Sequence, residues 1–197
     1  MELRLNFEAF AQRAARLDAD LRQAPFALSL TLNKAAEATR QHLIETTWPR
    51  GVNVRNASFM KAALTTRGAR ATKRDLQVVI YDQLGRAHLA LHDAGGVKIG
   101  RGRLAIPNQR VRRLARGAVR PADRPRNLKR SFMRGDKLFR VTGSGKRTRV
   151  ELMYVLTRSA RIAKDVQFSE DFRSVMLREL DKTFAASLAR AMATRRK

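Results

Sequence analysis

The chain of 197 residues contains no cysteine, which excludes disulfide bonds, thiolate nucleophiles and cysteine-based zinc sites. Histidine is almost as scarce, since His42, His88 and His92 are the whole supply. No stretch approaches the roughly 20 consecutive apolar residues of a membrane helix, and the start of the chain lacks the pattern of a secretory signal. We therefore expect a soluble intracellular protein that is held together by packing or by assembly.

Acidic and aromatic residues are also few. The chain has 17 Asp and Glu against 42 Lys and Arg, a net charge of +25, and its aromatic content is 6%. The 44% content of hydrophobic residues argues against wholesale disorder. We expect residues 1–197 to form a single domain, within which residues 95–137 form an extended arm or loop rich in Gly, Pro and Arg.

Motifs of the common enzyme classes are missing. A P-loop fails at Gly145-Lys146, because Arg147 follows the lysine and Arg140 occupies the position of the first glycine. No GxGxxG, GxSxG or HExxH pattern occurs. We predict no enzyme, no cofactor and no catalytic, cofactor-binding or metal-binding residues. A nuclease with a metal at His88, His92 and Asp93 is kept as a minor alternative.

What the sequence does have is a cationic middle. Residues 101–149 hold seventeen Lys or Arg against Asp123 and Asp136, a local net charge of +15. Cations this dense repel one another unless an anion neutralises them, and arginine pairs with phosphate and carboxylate alike. We predict that this stretch contacts DNA or an acidic protein. The predicted contact residues are Arg101, Arg103, Arg110, Arg112, Arg113, Arg116, Arg120, Arg124, Arg126, Lys129, Arg130, Arg134, Arg140, Lys146, Arg147 and Arg149.

Hydrophobic periodicity predicts helices at both ends of the chain. A first helix over residues 7–21, with Asn6 as its N-cap, is followed by a second over residues 28–43 that ends before Trp48-Pro49. A long C-terminal helix begins at Ser169, which we expect to act as the capping residue. The predicted packing or interface residues are Phe7, Phe10, Leu17, Leu32, Leu43, Phe172, Met176, Leu180, Phe184 and Leu188.

The middle of the chain predicts strands. Residues 76–80 alternate in a β-branched run, and residues 138–142 and 148–156 form a hairpin in which Val150, Leu152, Tyr154 and Leu156 share one face. Residues 54–64 favour a short helix, residues 87–92 a strand or a short helix, and residues 95–103 a flexible basic loop. The predicted fold class is α+β, with N-terminal helices, a small mostly antiparallel sheet, an extended basic arm and a long C-terminal helix.

Some stretches carry a family likeness. The second predicted helix contains Thr31-Leu32-Asn33-Lys34-Ala35-Ala36, and Phe139-Arg140-Val141-Thr142-Gly143-Ser144-Gly145-Lys146 forms an aromatic, basic hairpin that ends in Gly-Lys. A β-branched strand and a C-terminal helix ending in Arg and Lys follow. In this order the stretches resemble the tail-completion proteins of long-tailed bacteriophages, the group of minor tail protein Z, and more loosely the small head–tail joining proteins. Residues 55–134 depart from that pattern in detail.

The resemblance implies a non-enzymatic virion protein at the head-proximal end of the tail, where the tube meets the neck. Such proteins work as rings, commonly hexameric. The implied partners are further copies of the chain, other tail and neck proteins and the packaged double-stranded DNA, with no membrane. The implied location is the virion, and the host cytoplasm during assembly.

A different class stays open from the charge alone. A free nucleic-acid-binding protein of ribosomal or chromatin type would contact phosphates without sequence preference. No aromatic RNA-binding motif, zinc finger or helix-turn-helix pattern is present, and Phe132 and Phe139 are the aromatic residues nearest the basic stretch. A basic face that docks an acidic partner subunit is about as compatible with the sequence.

Overall fold

A computed structural model describes residues 1–6, 23–85 and 88–194 of the chain. The predicted first helix, with Phe7, Phe10 and Leu17, lies outside these residues. The chain divides into two compact units. We call residues 1–54, 58–93 and 164–197 the helical unit, and residues 55–57 and 94–163 the basic unit. The predicted α+β class is confirmed. The predicted single domain over residues 1–197 stays a prediction.

The helical unit contains five helices and three strands among the described residues. They are β1 (Glu2–Asn6), α1 (Ala24–His42), α2 (Trp48–Gly51), α3 (Phe59–Ala63), β2 (Leu64–Thr65), β3 (Gln77–Asp82), α4 (Leu89–Ala94) and α5 (Phe168–Ala193). The short helix predicted within residues 54–64 and the strand predicted at 76–80 are confirmed as α3 and β3. Of residues 87–92, for which strand and helix were both open, residues 89–92 lie in α4.

The second predicted helix is confirmed as α1, but the helical path does not end before Trp48-Pro49. A π-helical turn, Leu43–Thr47, follows α1 directly and leads into α2, where Pro49 lies in the first turn. A proline ring clashes with the carbonyl four residues earlier and offers no N–H. The wider π turn accommodates both defects, and the Trp48 N–H donates to the Leu43 carbonyl instead.

The core of the helical unit forms where α1, α5 and a three-stranded sheet pack together. The strand order is β1-β3-β2, and both pairings are antiparallel. Leu32 and Leu43 from the α1 side, Ile80 from β3 and Met176 from α5 are at most 1% exposed. Small residues of α1, such as Ala35, allow α5 to approach closely. The result is one continuous apolar cluster.

The start of α5 is fixed by residues from other elements. Phe168 is fully buried, and its ring stacks on Trp48 with 6.0 Å between centroids. The helix begins after Gln167, so the prediction that Ser169 is the cap is wrong. The carboxylate of Asp93 takes the capping role from α4, because it accepts a hydrogen bond from the Ser169 backbone N–H at 3.0 Å and another from the Ser169 hydroxyl.

The basic unit is built on a four-stranded antiparallel sheet. Its strands are β4 (Gly96–Pro107), β5 (Ser131–Arg134), β6 (Lys137–Thr142) and β7 (Arg149–Ile162), in the order β4-β7-β6-β5. The predicted hairpin is confirmed as β6 and β7. The flexible loop expected at residues 95–103 is wrong, because these residues run along β7 as an edge strand that is interrupted between Ile99 and Leu104. The described residues therefore contain two antiparallel sheets where the sequence predicted one.

A β-bulge in β7 overturns the predicted shared face of that strand. Leu138 pairs with Tyr154 and the next residue, Phe139, pairs with Leu152, which leaves Met153 as the extra residue. Because neighbouring residues of β6 point to opposite faces, Leu152 and Tyr154 also point to opposite faces. The bulge explains how two consecutive residues, Met153 and Tyr154, are both buried.

The segment 108–130 covers one face of this sheet without regular structure beyond two short 3₁₀ turns, Pro121–Asp123 and Pro125–Asn127. Val111 from this segment packs with Leu138, Met153 and Tyr154, and the half-buried Val119, Leu128 and Leu156 surround them. We call this face of the sheet the covered face. Four buried apolar residues make a small core, so polar contacts must contribute much of the order of the segment.

Candidate polyanion-binding surface

The two units differ sharply in charge. The basic unit carries 21 Lys and Arg and three acids, Asp123, Asp136 and Glu151, a net charge of +18. The helical unit carries the same number of cations with fourteen acids, a net charge of +7. The charge found in the sequence is therefore concentrated in the smaller unit.

Asp123 lies at the centre of the covered face and is 1% exposed. Its carboxylate accepts from Arg112 Nε at 3.0 Å, from the Arg112 backbone N–H at 3.2 Å and from Arg140 Nη1 at 2.8 Å. Its backbone carbonyl accepts from the Tyr154 hydroxyl at 2.7 Å. One acidic residue thus joins the irregular segment to β6 and β7.

The protonation of Asp123 reflects two opposing effects. Burial raises the pKa of the carboxyl, whereas the hydrogen bonds and charge of Arg112, with the charge of Arg140, lower it and win, so the pKa lies below its ordinary value. The same contact raises the pKa of Arg112. Burial, followed by the nearby Asp123 charge, raises the pKa of Tyr154. The cluster is therefore ionised and its tyrosine neutral at physiological pH.

Arg140 bridges two carboxylates. Its Nη2 lies 3.0 Å from Glu151 Oε2, opposite it on β7, while its Nη1 reaches Asp123. Arg110 adds a longer contact of 3.7 Å to the other Glu151 oxygen. Among the residues described here, the buried Arg140 Nε has no hydrogen-bond partner. Asp123 and Glu151 thus both hold arginines in place on the covered face.

The loop from Arg113 to Val119 is closed by its own backbone. Arg113 and Val119 form an isolated bridge, and Arg113 Nη1 donates to the Gly117 carbonyl at 2.9 Å. Gly117 has a φ of +78°, and a Cβ atom there would lie 2.6 Å from the Cβ of Arg55, so glycine is required. This tight loop presents Arg116 at its exposed tip.

Most of the predicted contact residues project to solvent. Fourteen of the sixteen are exposed, and Arg113 and Arg140 are half-buried. Arg103 pairs with Asp136 at 3.2 Å, and Arg130 donates to the Gly143 carbonyl at 2.9 Å. Ten have neither an ion pair nor a side-chain hydrogen bond within the described ranges, namely Arg101, Arg116, Arg120, Arg124, Arg126, Lys129, Arg134, Lys146, Arg147 and Arg149.

Three of the sixteen predicted contact residues surround a cavity of about 730 Å³ on the covered face. Arg103, Arg124 and Arg126 line it together with the apolar side chains of Pro107 and Leu156. Guanidinium groups around a concave surface can hold a phosphate or carboxylate bidentately. The arrangement is suited to binding anions through positioned charge.

The predicted packing residues occupy the helical unit where they are described. Leu32, Leu43, Phe172, Met176 and Leu180 are buried, and Phe184 and Leu188 are half-buried. Phe7, Phe10 and Leu17 are outside the described residues. Whether any of these side chains contacts a second subunit stays a prediction.

Sequence reasoning missed the organising role of Asp123, Glu151 and Tyr154. Asp123 was counted as one of two acids in a basic stretch, and its burial was not foreseen. A usable signal existed, because a lone acid between Pro121 and Pro125 in an arginine-rich run has few reasons to be there other than pairing. The role of Glu151 could be recognised only from the register of β6 and β7, which places it opposite Arg140.

The residues of the alternative metal site serve other contacts. His92 Nδ1 lies 2.7 Å from Asp165 Oδ1, and the Asp93 carboxylate accepts hydrogen bonds from Ser169. Within residues 1–6, 23–85 and 88–194, no group of three or more His, Asp or Glu lies close enough together to hold a metal ion.

No helix in the described part of the chain is both long and apolar enough to cross a membrane. Comparison of the chain with protein-family models, with curated proteins and with solved structures returned no match.

Proposed function

We propose that this protein is a structural component of a tailed bacteriophage that completes the head-proximal end of the tail and helps to join it to the head or neck. Copies of the chain form a ring, hexameric to match the tail tube. The basic unit faces the DNA channel or an acidic neighbouring ring. The proposal needs no catalytic step, since its chemistry is the neutralisation of a fixed polyanion.

The observation that carries the proposal is the arrangement around Asp123. This buried carboxylate and Glu151 fix the arginine-rich segment on the sheet, while ten further cations of the basic unit have no partner among the residues that the structure describes. Building such a surface raises the electrostatic energy of the isolated chain. A protein that is placed permanently against DNA or an acidic ring recovers that energy. The hairpin resemblance adds the specific setting of a phage tail.

Disruption of the gene in the phage or prophage that encodes it tests the role directly. We expect separate full heads and tails by electron microscopy, and rescue of joined particles by the wild-type gene. Arg124→Gln with Arg126→Gln and Arg147→Gln should rescue poorly, and the matched helical-unit variant Lys73→Gln with Arg74→Gln and Arg173→Gln should rescue normally. Normal joined particles without the protein would overturn the proposal.

A free nucleic-acid-binding protein is the second candidate. It is favoured by one observation, namely that the ten cations without a partner among the described residues all belong to one compact unit of the chain. This candidate predicts a monomer of 22.3 kDa that binds bulk DNA or RNA tightly, whereas the tail proposal predicts a ring. Sedimentation of the purified chain at increasing concentration separates the two.

A further inference from the structure

The sheet of the basic unit has a second face, opposite the covered face. Phe132 pairs with Phe139, Phe139 pairs with Leu152, and on the other side of β7 Ile106 pairs with Val155. Cross-strand partners share a face, and residues two apart on a regular strand share it as well. We call the resulting apolar surface the open face. It comprises Leu104, Ile106, Phe132, Phe139, Val141, Val150, Leu152 and Val155.

The open face is apolar and accessible. None of its eight apolar residues is buried, and the exposed fractions are 44% for Ile106, 42% for Phe132 and 57% for Val150. The rings of Phe132 and Phe139 stack with centroids 5.5 Å apart, so they present one continuous surface. Antiparallel sheets normally turn polar residues to water on an uncovered face. This sheet turns apolar residues there.

The dimensions suit a protein contact. Four strands about 4.8 Å apart and about six residues long give an area on the order of 350 Å². The largest exposed apolar patch of a soluble monomer is typically about 300–600 Å² and is often functional. A standard interface takes about 800 Å² from each partner, so an occupant would also contact the polar margin. The charge of that margin therefore decides which partner fits.

The margin is basic. Arg134 and Lys137 lie on the open face, where they are direct cross-strand partners at the β5 and β6 turn. Like charges in that position repel each other, and an acidic group between them would relieve the repulsion. A second basic unit would add another net charge of +18 instead. The helical unit is also cationic, with a net charge of +7, so neither unit of this chain carries a net negative charge.

We propose that the open face is the docking site for an acidic, amphipathic segment of a different protein. Apolar side chains of that segment cover Phe132, Phe139 and Ile106, and its carboxylates contact Arg134 and Lys137. The site lies on the face of the sheet opposite Asp123, so it is separate from the cavity lined by Arg124 and Arg126. The inference goes beyond the proposed tail function and does not depend on DNA binding.

Synthetic peptides of equal length test the chemistry on the full chain by fluorescence anisotropy. One probe is an amphipathic helix with leucine on one face and glutamate on the other, the second replaces glutamate with lysine, and the third replaces leucine with glutamine. We expect the leucine and glutamate peptide to bind about tenfold more tightly than either of the others, because both the apolar face and the charge are needed.

Matched variants locate the site. Phe132→Ser and Ile106→Ser should each weaken binding of the leucine and glutamate peptide about tenfold, whereas Met133→Ser should change it less than about twofold. Met133 is the neighbour of Phe132, is 53% exposed and points to the opposite face of β5, so it controls for substitution on an edge strand. Circular dichroism checks that each variant is folded. If Phe132→Ser does not fold, Ile106→Ser tests the site in its place.

Three results would overturn the inference. If the peptide with glutamine in place of leucine bound as tightly as the leucine and glutamate peptide, charge alone would account for the binding. Equal binding by Phe132→Ser and Met133→Ser would place the peptide elsewhere. Self-association of the wild type that Phe132→Ser removes would make a second copy the occupant. DNA affinity should be the same in wild type and Phe132→Ser, so failure of this inference is distinguishable from failure of the proposed function.

Discussion

The helical unit and the basic unit obtain their order by different means. The helical unit has a continuous apolar cluster in which Leu32, Leu43 and Phe168 are fully buried. The basic unit buries four apolar residues and relies on the contacts of Asp123 with Arg112 and Arg140. Apolar packing does not depend on the protonation of any side chain, whereas a carboxylate that organises arginines is sensitive to its own protonation. The comparison therefore separates a scaffold from a charged surface.

The acids are distributed in keeping with this division. In the helical unit, Asp171 accepts hydrogen bonds from Thr47 at 2.6 Å and Arg50 at 2.7 Å near the start of α5, and Asp93 caps that helix. In the basic unit, Asp123 and Glu151 fix arginines on one face. Asp136 is the one other acid of the basic unit. Most of the remaining cations of this unit are therefore available to an external anion.

The largest expected effect is a core deletion in the helical unit. Phe168→Ala should lower the free energy of unfolding by about 4 kcal/mol, because it leaves a cavity beside Trp48. Urea denaturation followed by fluorescence of Trp48, the single tryptophan, measures it. Phe132→Ala in the basic unit is the control and should cost about 1 kcal/mol or less. Similar losses for both would remove the contrast between the units.

Removing the charge of Asp123 should have the next largest effect, in the basic unit. Asp123→Asn leaves Arg140 without one of its two carboxylates and should cost about 3 kcal/mol. Hydrogen exchange of β6 and β7 amides should accelerate accordingly. Asp136→Asn is the control, since its carboxylate is exposed and pairs with Arg103 at the surface, and it should cost about 0.5 kcal/mol. Unchanged exchange in Asp123→Asn would show that the network does not hold the unit.

Acid should destabilise the basic unit through the same residue. The pKa of Asp123 is lowered in the folded protein, so its contribution is fully present above the ordinary value of 3.8 and is lost as the pH falls from there through the folded pKa. The difference in stability between wild type and Asp123→Asn should therefore be constant near neutral pH and shrink below about pH 4. A difference that grows on acidification would contradict this sign.

The smallest expected effect is at an exposed pair of the helical unit. Lys164 Nζ lies 3.3 Å from Glu170 Oε1, and both side chains are more than half exposed. Glu170→Gln should change the free energy of unfolding by about 0.5 kcal/mol or less. The same denaturation assay that reports Phe168→Ala measures it. A loss as large as that of Asp123→Asn would mean that surface charge stabilises both units alike.

The sequence predicted those elements whose signal is local. The β-branched run gives β3, the Gly-rich turn between β6 and β7 gives the hairpin, and the apolar stripe gives α5. β4 was missed because Gly100 and Gly102 with intervening arginines read as a loop, whereas its pairing with β7 is not local. The bulge at Met153 leaves no mark in a single sequence either.

The positive charge of the candidate site was predictable from the sequence, but its structure was predictable only in part. The cationic stretch is visible in composition, and the structure places fourteen of the sixteen named residues at the surface. The burial of Asp123 depends on the segment 108–130 folding over the sheet, a contact that charge counting cannot reveal. Arg112 and Arg140 were accordingly grouped with the external contacts, although their side chains also bind within the unit.

Salt dependence of DNA binding tests most directly whether the basic unit is the polyanion-binding surface. Affinity for a DNA duplex should fall linearly in log–log form as salt rises, and the variant Arg124→Gln, Arg126→Gln, Arg147→Gln should reduce that slope by about 2 to 3. The helical-unit variant Lys73→Gln, Arg74→Gln, Arg173→Gln should leave the slope unchanged. Equal slopes for the two variants, or no binding by wild type at low salt, would contradict the account.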